Sequence, residues 1–315
     1  MTHPVRSPLA AAALAVLFAG PASAVTFSDA YFFGDSLSDT GNVFTFGLMP
    51  PGPYYQGRFS DNKVWVEYLA EGIGHADAAK ANYQGGNNYA IGGARLAAGG
   101  TSVLAQIGTF SSNHAMADAN ALYVVVAGGN DMRDARSGNP ANIDAAAAAA
   151  ANNLKTAIDL LADKGAKNFL IANLPDLGAT PEAAALGLTG VSTQATDAFN
   201  SLMGGVVSYG QGLGLTMSFF DFAGLSTAVR TDALTNGGAV YGITNVFTPC
   251  GGFTGSIGIS CGVSQFSDAL HPSGVSHALM GAAAIAAVPE PATYGLMALG
   301  LGVIGFMARR RRPAA

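Results

Sequence analysis

Cysteine is almost missing from this chain: 315 residues contain two, Cys250 and Cys261. No histidine neighbours either one, and two thiolates alone do not complete a tetrahedral zinc site, so a structural zinc module is excluded. Basic residues are scarce as well. Between residues 25 and 288 there are 10 Lys and Arg against 19 Asp and Glu, so this stretch carries a net −9. Such an acidic body offers no basic face to phosphates, which excludes nucleic acid as a partner. Internal repeats are absent, and the one low-complexity run, the alanines at 145–151, has ordinary helical flanks. Half of the residues are hydrophobic, enough for a sizeable core and against disorder. Glycine, at 42 residues, is close to twice its usual share and points to many tight turns.

The ends of the chain differ from its middle. Arg6 precedes the apolar run Leu9–Ala19, and Ala22-Ser23-Ala24 supplies small residues, the pattern of a secretory signal peptide cut after Ala24. At the other end, Val288-Pro289-Glu290-Pro291 breaks the chain, residues 294–308 are almost wholly apolar, and Arg309–Arg312 follow. Fifteen helical residues rise about 22 Å against a hydrocarbon core of about 30 Å, a gap that flanking residues and snorkelling arginines can close. The arginines would stay cytoplasmic and leave everything before Pro289 outside. A plain single-span transmembrane helix is one meaning of this tail. It also resembles the PEP-CTERM sorting signal of Gram-negative bacteria, which implies a membrane-bound exosortase as partner, removal of the tail and delivery to the cell surface or extracellular matrix. In an exported chain, Cys250 and Cys261 most simply pair with each other in a disulfide.

Between these ends, residues 25–287 read as one domain of alternating strands and helices. Ala30–Phe33, Leu122–Ala127, Phe169–Ala172 and Thr216–Phe220 are short apolar runs typical of a parallel sheet covered on both faces. Tyr89–Ala94 reads as a further short strand, ending in the pair Gly92-Gly93 where a backbone N–H can approach a ligand closely. Helical patterns run from Lys63 to Ala70, with Asp61 or Asn62 as cap, from Asn139-Pro140 to Lys164, and from Ser192 to Tyr209. Gly274–Ala287 comes after Pro272 and Ser273 as the last helix. Val43–Tyr55, rich in aromatics and broken by prolines, reads as a loop that either lines a pocket or packs as a lid. Residues 222–266 read as a Gly-rich excursion. The sum is an α/β domain with helices on both faces.

The chemistry lies where strands end. Gly34-Asp35-Ser36-Leu37 closes the first strand, and Ser38, Asp39 or Thr40 can cap the next helix. Ser36 is either a turn residue or a nucleophile lifted above the sheet edge. Far downstream, Asp268 and His271 lie three apart on the loop entering the last helix, close enough for the carboxylate to hold the imidazole, which a serine nucleophile requires. His271 alone would pass for a surface histidine, as do His75, His114 and His277.

Together, Phe33–Asn42, Gly92-Gly93, Gly129-Asn130-Asp131 and Asp268-Ala269-Leu270-His271-Pro272 resemble the sequence blocks of the GDSL lipase/esterase family, also called SGNH hydrolases. Gly57–Ser60, Val64-Trp65, Glu67–Ala70 and Asn173–Gly178 resemble its longer, lipase-like branch. The resemblance spans residues 29–286. It implies a flavodoxin-like three-layer α/β/α sandwich, ester hydrolysis, and neither cofactor nor metal. Ser36 would be the nucleophile, His271 the base and Asp268 its partner, with Ser36 and Gly93 N–H groups and the Asn130 amide forming the oxyanion hole. The expected substrate is an ester of a lipid or an acylated carbohydrate. Alternatives are a carbohydrate O-acetylesterase, an acyltransferase, or a non-catalytic matrix protein on the same scaffold.

Overall fold

Ala30-Tyr31-Phe32-Phe33-Gly34 is apolar at every position, so a strand formed from it has to be covered on both faces. In the computed structural model, which describes residues 27–48, 54–251 and 258–288, this strand is β1 (Ala30–Gly34) and all five residues are buried. The signal stretch 1–24, the apolar segment 294–308 and the Arg309–Arg312 cluster lie outside the described residues. Residues 27–288 form one compact unit.

Chain order after β1 is α1 (Asn42–Thr45), α2 (Trp65–Gly72), α3 (Val103–Asn113), β2 (Leu122–Val126), α4 (Gly129–Ser137) and α5 (Ile143–Asp163). Then come β3 (Asn168–Ala172), α6 (Pro181–Ala185), α7 (Thr189–Asn200), α8 (Met203–Gly212), β4 (Thr216–Phe220), α9 (Phe222–Asn236) and α10 (Gly274–Ala287). The four strands pair in parallel in the order β1-β2-β3-β4, with Ala30 opposite Leu122, Leu122 opposite Asn168 and Asn168 opposite Thr216.

Side chains alternate along a strand, so each strand feeds two cores. Tyr31, Phe33, Tyr123, Val125, Phe169 and Ile171 pack with Ile107 and Phe110 of α3, the alanine and leucine face of α5, and Phe199, Met203 and Val206. Ala30, Phe32, Val124, Leu170 and Phe220 pack on the other face with Trp65, Val66 and Leu69 of α2 and Met280 and Ala284 of α10. The result is the three-layer α/β/α sandwich, with the sheet as its middle layer.

Four local expectations need correction. Tyr89–Ala94 is not a strand of its own. Asn87–Ile91 runs beside β1 through Phe32 N–H to Asn87 O, Tyr89 N–H to Phe32 O and Ile91 N–H to Gly34 O, at 3.1, 2.8 and 3.1 Å. On its other side Asn88 makes a single parallel bridge to Ala81, and the Asn42 side chain donates to the Asn88 and Ala90 carbonyls, so one bridge and one side chain stand where a further strand would pair. With this stretch counted, the order across the sheet is second-first-third-fourth-fifth, and the chain reverses direction of travel between β1 and β2. Ligand crevices of open α/β sheets form at such a switch point, outside the carboxyl ends of the strands. The helix expected over 192–209 is two, α7 and α8, separated at Ser201-Leu202. The expected excursion over 222–266 begins with the 15-residue helix α9. Asp221 caps its Gly224 N–H, and Gly237 ends it in the left-handed region at φ 60°. Phe222, Leu225, Val229 and Ala233 recur at helical spacing along one side of it, a short stripe that the glycines of the surrounding stretch obscure. Finally, α2 is not capped by Asp61 or Asn62. The Glu67 carboxylate accepts the Val64 N–H instead, at 2.9 Å, and Asp61 accepts the Gly274 N–H of α10.

Cys250 and Cys261 are joined in a disulfide. Among the described residues no helix is long and apolar enough to cross a membrane.

His277 on α10, expected at the surface, is instead fully buried and accepts the Trp65 N–H at Nδ1, 3.2 Å away, which ties α10 to α2. Burial, with a smaller push from the charge of His271, holds its pKa down at about 3. A histidine depressed in the fold stabilises it above the ordinary value near 6.5 and loses that contribution as the pH falls toward the folded value. Replacing it by Gln, whose amide oxygen can take the same N–H, should remove this acid sensitivity. Thermal melts at half-unit pH steps should show wild type losing about 1.4 kcal/mol per pH unit relative to His277→Gln below pH 6.5. Parallel Tm curves for the two proteins would show that His277 does not carry this load.

Candidate active site

Gly34 ends β1 where a side chain has no room: a Cβ there would meet the Val126 carbonyl oxygen at 2.5 Å. Gln106 of α3 holds the same residue from below, accepting its N–H and donating to its carbonyl. The chain then turns sharply. The Asp35 carbonyl accepts the Ser38 and Asp39 N–H groups, and the Asp35 carboxylate accepts Leu37 N–H at 3.1 Å. This turn presents Ser36 at the carboxyl end of β1, beside Gly129 and Asn130 at the end of β2.

Of the three possible capping residues, Asp39 takes the role. Its carboxylate accepts N–H groups from Gly41, Asn42 and Val43 at the start of α1 and a fourth from Gly92 at 2.8 Å. A single side chain thus fixes the turn after β1 and the glycine turn after Asn87–Ile91 to each other. Burial raises the Asp39 pKa, with the four N–H groups opposing it.

His271 reaches Ser36 from 235 residues away. Its Nε2 lies 2.9 Å from the Ser36 Oγ, and its Nδ1 lies 2.7 Å from an oxygen of Asp268. Burial would raise the Asp268 carboxyl, but the ring N–H and charge of His271, the His271 backbone N–H and the Tyr54 hydroxyl outweigh it. They bring the pKa down to about 2. Asp268 is therefore an acceptor only, Nδ1 carries the ring proton, and Nε2 is left free to accept from the serine hydroxyl. The other Asp268 oxygen accepts the Leu270 and His271 N–H groups, which folds the loop into the turn that aims the ring.

Asn130, buried in the first turn of α4, also faces the pocket. One of its amide N–H groups donates to the Ala94 carbonyl at 2.9 Å, and its oxygen accepts from Arg133. Arg133 and Arg136 in turn pair with Glu182 of α6, and the Glu182 backbone N–H donates to the Ala269 carbonyl. This network joins the helix carrying Asn130 to the loop carrying Asp268. Burial would raise the Glu182 pKa, but its hydrogen bonds from Arg133 and Arg136 lower it. Gly93 has φ 79° and open space around its α-carbon, but it is not among the residues lining the pocket. The structure thus brings Ser36, Asp268, His271 and Asn130 together, and Asp39 ties the Gly92-Gly93 turn to the turn that carries Ser36.

A pocket open to solvent lies beside Ser36. Its walls are mostly apolar: Leu174 and Leu177 after β3, Phe222, Leu225 and Val229 on α9, and Leu279 on α10. Asp35 also lines it, its pKa pushed up to about 6 by burial, against the Leu37 N–H and the charge of His271. Arg133 is the basic side chain at the wall. Of the groups near Ser36 and His271, Tyr54 and the Arg133–Glu182 network had no sequence signal tying them to the site. The aromatic richness of 43–55 hinted only that something there packs near a pocket.

A family model described as GDSL-like Lipase/Acylhydrolase matches residues 31–284, and one described as a PEP-CTERM protein-sorting motif matches 287–312. Similar curated proteins include the thermolabile hemolysin of Vibrio parahaemolyticus, 28% identical over 69% of this chain and 50% of that one. Lipase 1 of Photorhabdus luminescens is 29% identical over 54% of this chain and 25% of its own length. The phosphatidylcholine-sterol acyltransferase of Aeromonas hydrophila is 31% identical over 50% of this chain and 47% of its own. The chain spans between a quarter and a half of the length of these relatives. With the family model covering most of the chain, this protein belongs to the GDSL-like lipase/acylhydrolase family.

Proposed function

We propose that this protein is an exported serine esterase that hydrolyses carboxylic esters of apolar acyl groups through an acyl-enzyme intermediate. The observation that carries this is the hydrogen-bonded series Ser36 Oγ, His271 Nε2, His271 Nδ1, Asp268 at the mouth of an apolar pocket. In the first step Ser36 Oγ attacks the ester carbonyl while its proton passes to His271 Nε2. Asp268 keeps the ring in the right tautomer and stabilises the imidazolium. Collapse of the tetrahedral species sends that proton to the departing alcohol and leaves Ser36 acylated. Water, deprotonated by the same imidazole, then attacks the acyl-enzyme and releases the acid.

Negative charge gathers on the former carbonyl oxygen in both steps. The Ser36 and Gly93 N–H groups and the second N–H of the Asn130 amide are the proposed donors to it. The Gly93 turn is held by Asp39 through Gly92, which supports its place near the oxyanion. The acyl chain lies along Leu225 and Val229, and this wall favours a lipid-like acyl group over acetate alone. Acyl transfer to an alcohol uses the same intermediate. The Aeromonas relative is named as an acyltransferase, so an alcohol acceptor belongs in any assay.

The PEP-CTERM match supports export across the membrane toward the cell surface. Residues 1–24 act as the leader, 25–287 as the hydrolase domain and 288–315 as a transient inner-membrane anchor removed by an exosortase. Mass spectrometry of surface-released protein should find a chain ending near Pro289. Intact Arg309–Arg312 on released protein would refute removal.

Mutants should rank by chemistry. Ser36→Ala and His271→Ala should fall to background. Asp268→Asn, which favours the wrong tautomer, should lose roughly 10⁴ in kcat. Asn130→Ala, lacking one of three donors, should lose about 10²–10³ in kcat with KM little changed. Steady-state kinetics with Tm on each variant tests this, and an Asn130→Ala enzyme of full kcat but lowered Tm would make Asn130 a mere brace.

Chain length is read separately. Leu225→Trp should narrow the slot and cut kcat/KM for p-nitrophenyl octanoate at least tenfold more than for the acetate. Equal losses on both esters would place the acyl chain elsewhere.

A further inference from the structure

The Asp268 oxygen that receives His271 Nδ1–H also receives the Tyr54 hydroxyl, at 2.5 Å. Tyr54 is the one donor to that carboxylate from outside its own loop among the described residues, 214 positions earlier in the chain. It does not stand there by accident of a loose loop. Residues 54–62 form a turn in which Tyr55 N–H donates to the Ser60 carbonyl, with Gln56 and Gly57 both at positive φ, 46° and 84°. The Gly57 position admits no side chain, since a Cβ would sit 2.6 Å from Phe44. From that turn Ser60 Oγ donates to the Pro272 carbonyl and Asp61 accepts the Gly274 N–H. Tyr54 is thus the first of three successive hydrogen bonds that clasp the loop 268–274.

The clasp also carries an aromatic wedge. Tyr54 leans on Phe59 with ring centres 5.9 Å apart, and Phe59 lies 5.1 Å from the His271 ring. On its other edge Phe59 fills the space over Gly92, where a Cβ would be 2.3 Å away. One turn therefore touches both the imidazole and the glycine turn that carries Gly93.

Resting on the assignment of Asp268 and His271 as the proton relay, we propose that Tyr54 is a positioning residue of the reaction: its hydroxyl locks the Asp268 oxygen that aims His271. Simple electrostatics gives this two consequences. Without the phenol, the carboxylate can swing and the ring is aimed less well, so kcat falls. The carboxylate's charge also concentrates on Nδ1–H, the imidazolium is stabilised, and the ring keeps its proton to higher pH. Other groups facing this pair are Asp35, Arg133 and Asp176 in the pocket wall and His277 behind it, and all are unchanged by a substitution at Tyr54.

The test compares Tyr54→Phe, Tyr54→Ala, Ser60→Ala and Ser36→Ala in the full chain, with p-nitrophenyl butyrate as probe. Tyr54→Phe should lose about tenfold in kcat, the worth of one hydrogen bond to a charged group, with KM within about twofold. The acidic limb of its kcat/KM profile should move to higher pH, while Ser60→Ala, which loosens the clasp but leaves the carboxylate alone, should lower Tm without moving the limb. Wild-type kcat and limb in Tyr54→Phe would overturn the proposal, and so would a lowered kcat with an unmoved limb, because packing alone explains that. Impairment of Tyr54→Ala with an unaffected Tyr54→Phe would likewise leave the hydroxyl without a role. Turnover by Ser36→Ala would bring down the relay itself. An inactive Ser36→Ala beside an unaffected Tyr54→Phe would bring down Tyr54 alone.

Discussion

Four hydrogen bonds converge on the Asp268 carboxylate, two from the backbone of its own loop, one from the His271 ring and one from Tyr54. Everything at the site is aimed by that convergence. The backbone donors fold the loop so that the ring can reach back to its own carboxylate, and the ionised acceptor forces the proton onto Nδ1. Only then is Nε2 free to face Ser36. The phenol brings in the early part of the chain, so that the turn before α2 and the loop before α10 become one structure. Charge-assisted bonds of this kind are shorter and roughly twice as strong as neutral ones, which suits a joint between segments more than two hundred residues apart.

Three buried carboxylates beside the sheet edge show that backbone donors alone do not overcome burial, whereas a partner that can carry charge does. Asp35, with the Leu37 N–H as its hydrogen-bond donor, has its pKa pushed up to about 6. Asp39 gathers four backbone N–H groups, and burial still raises it. Asp268, less deeply buried and bonded to a ring that can carry charge, is lowered to about 2. Similar carboxyl groups are thereby sorted into one that holds its proton into weakly acidic solution, one structural tie, and one that stays ionised well into acid.

The sheet supplies the frame for this arrangement. Its strands are covered on both faces, so their carboxyl ends are the places where backbone and polar side chains emerge together. Placing Asn87–Ile91 outside β1 makes β1 and β2 neighbours at the switch point, which sets Ser36 beside Asn130. The pocket then opens toward α9 and α10, whose apolar residues give it walls.

How much of this was legible in the sequence depends on the range of each interaction. Apolar runs such as Leu122–Val126 and turn residues such as Gly34-Asp35-Ser36 act locally, so the strands, the parallel sheet and the pairing of Asp268 with His271 three residues on could be read directly. Helix α9 carries a readable apolar spacing at 222, 225, 229 and 233, which its glycine-rich surroundings obscured. The split of α7 from α8 could not be read, because no breaking residue marks Ser201-Leu202. Nor could the choice of Asp39 over Ser38 and Thr40, which depends on the Gly92 N–H arriving from a separate turn. Tyr54 was visible only as one aromatic among several in a proline-broken loop. By itself the sequence determined the fold class and the family and singled out Ser36, Asp268 and His271 as candidates, since each is written in short-range patterns. Only the tertiary structure decided which side chains hold them in place, because Tyr54, Glu182 and Asp39 act across distances in the chain that no local pattern spans.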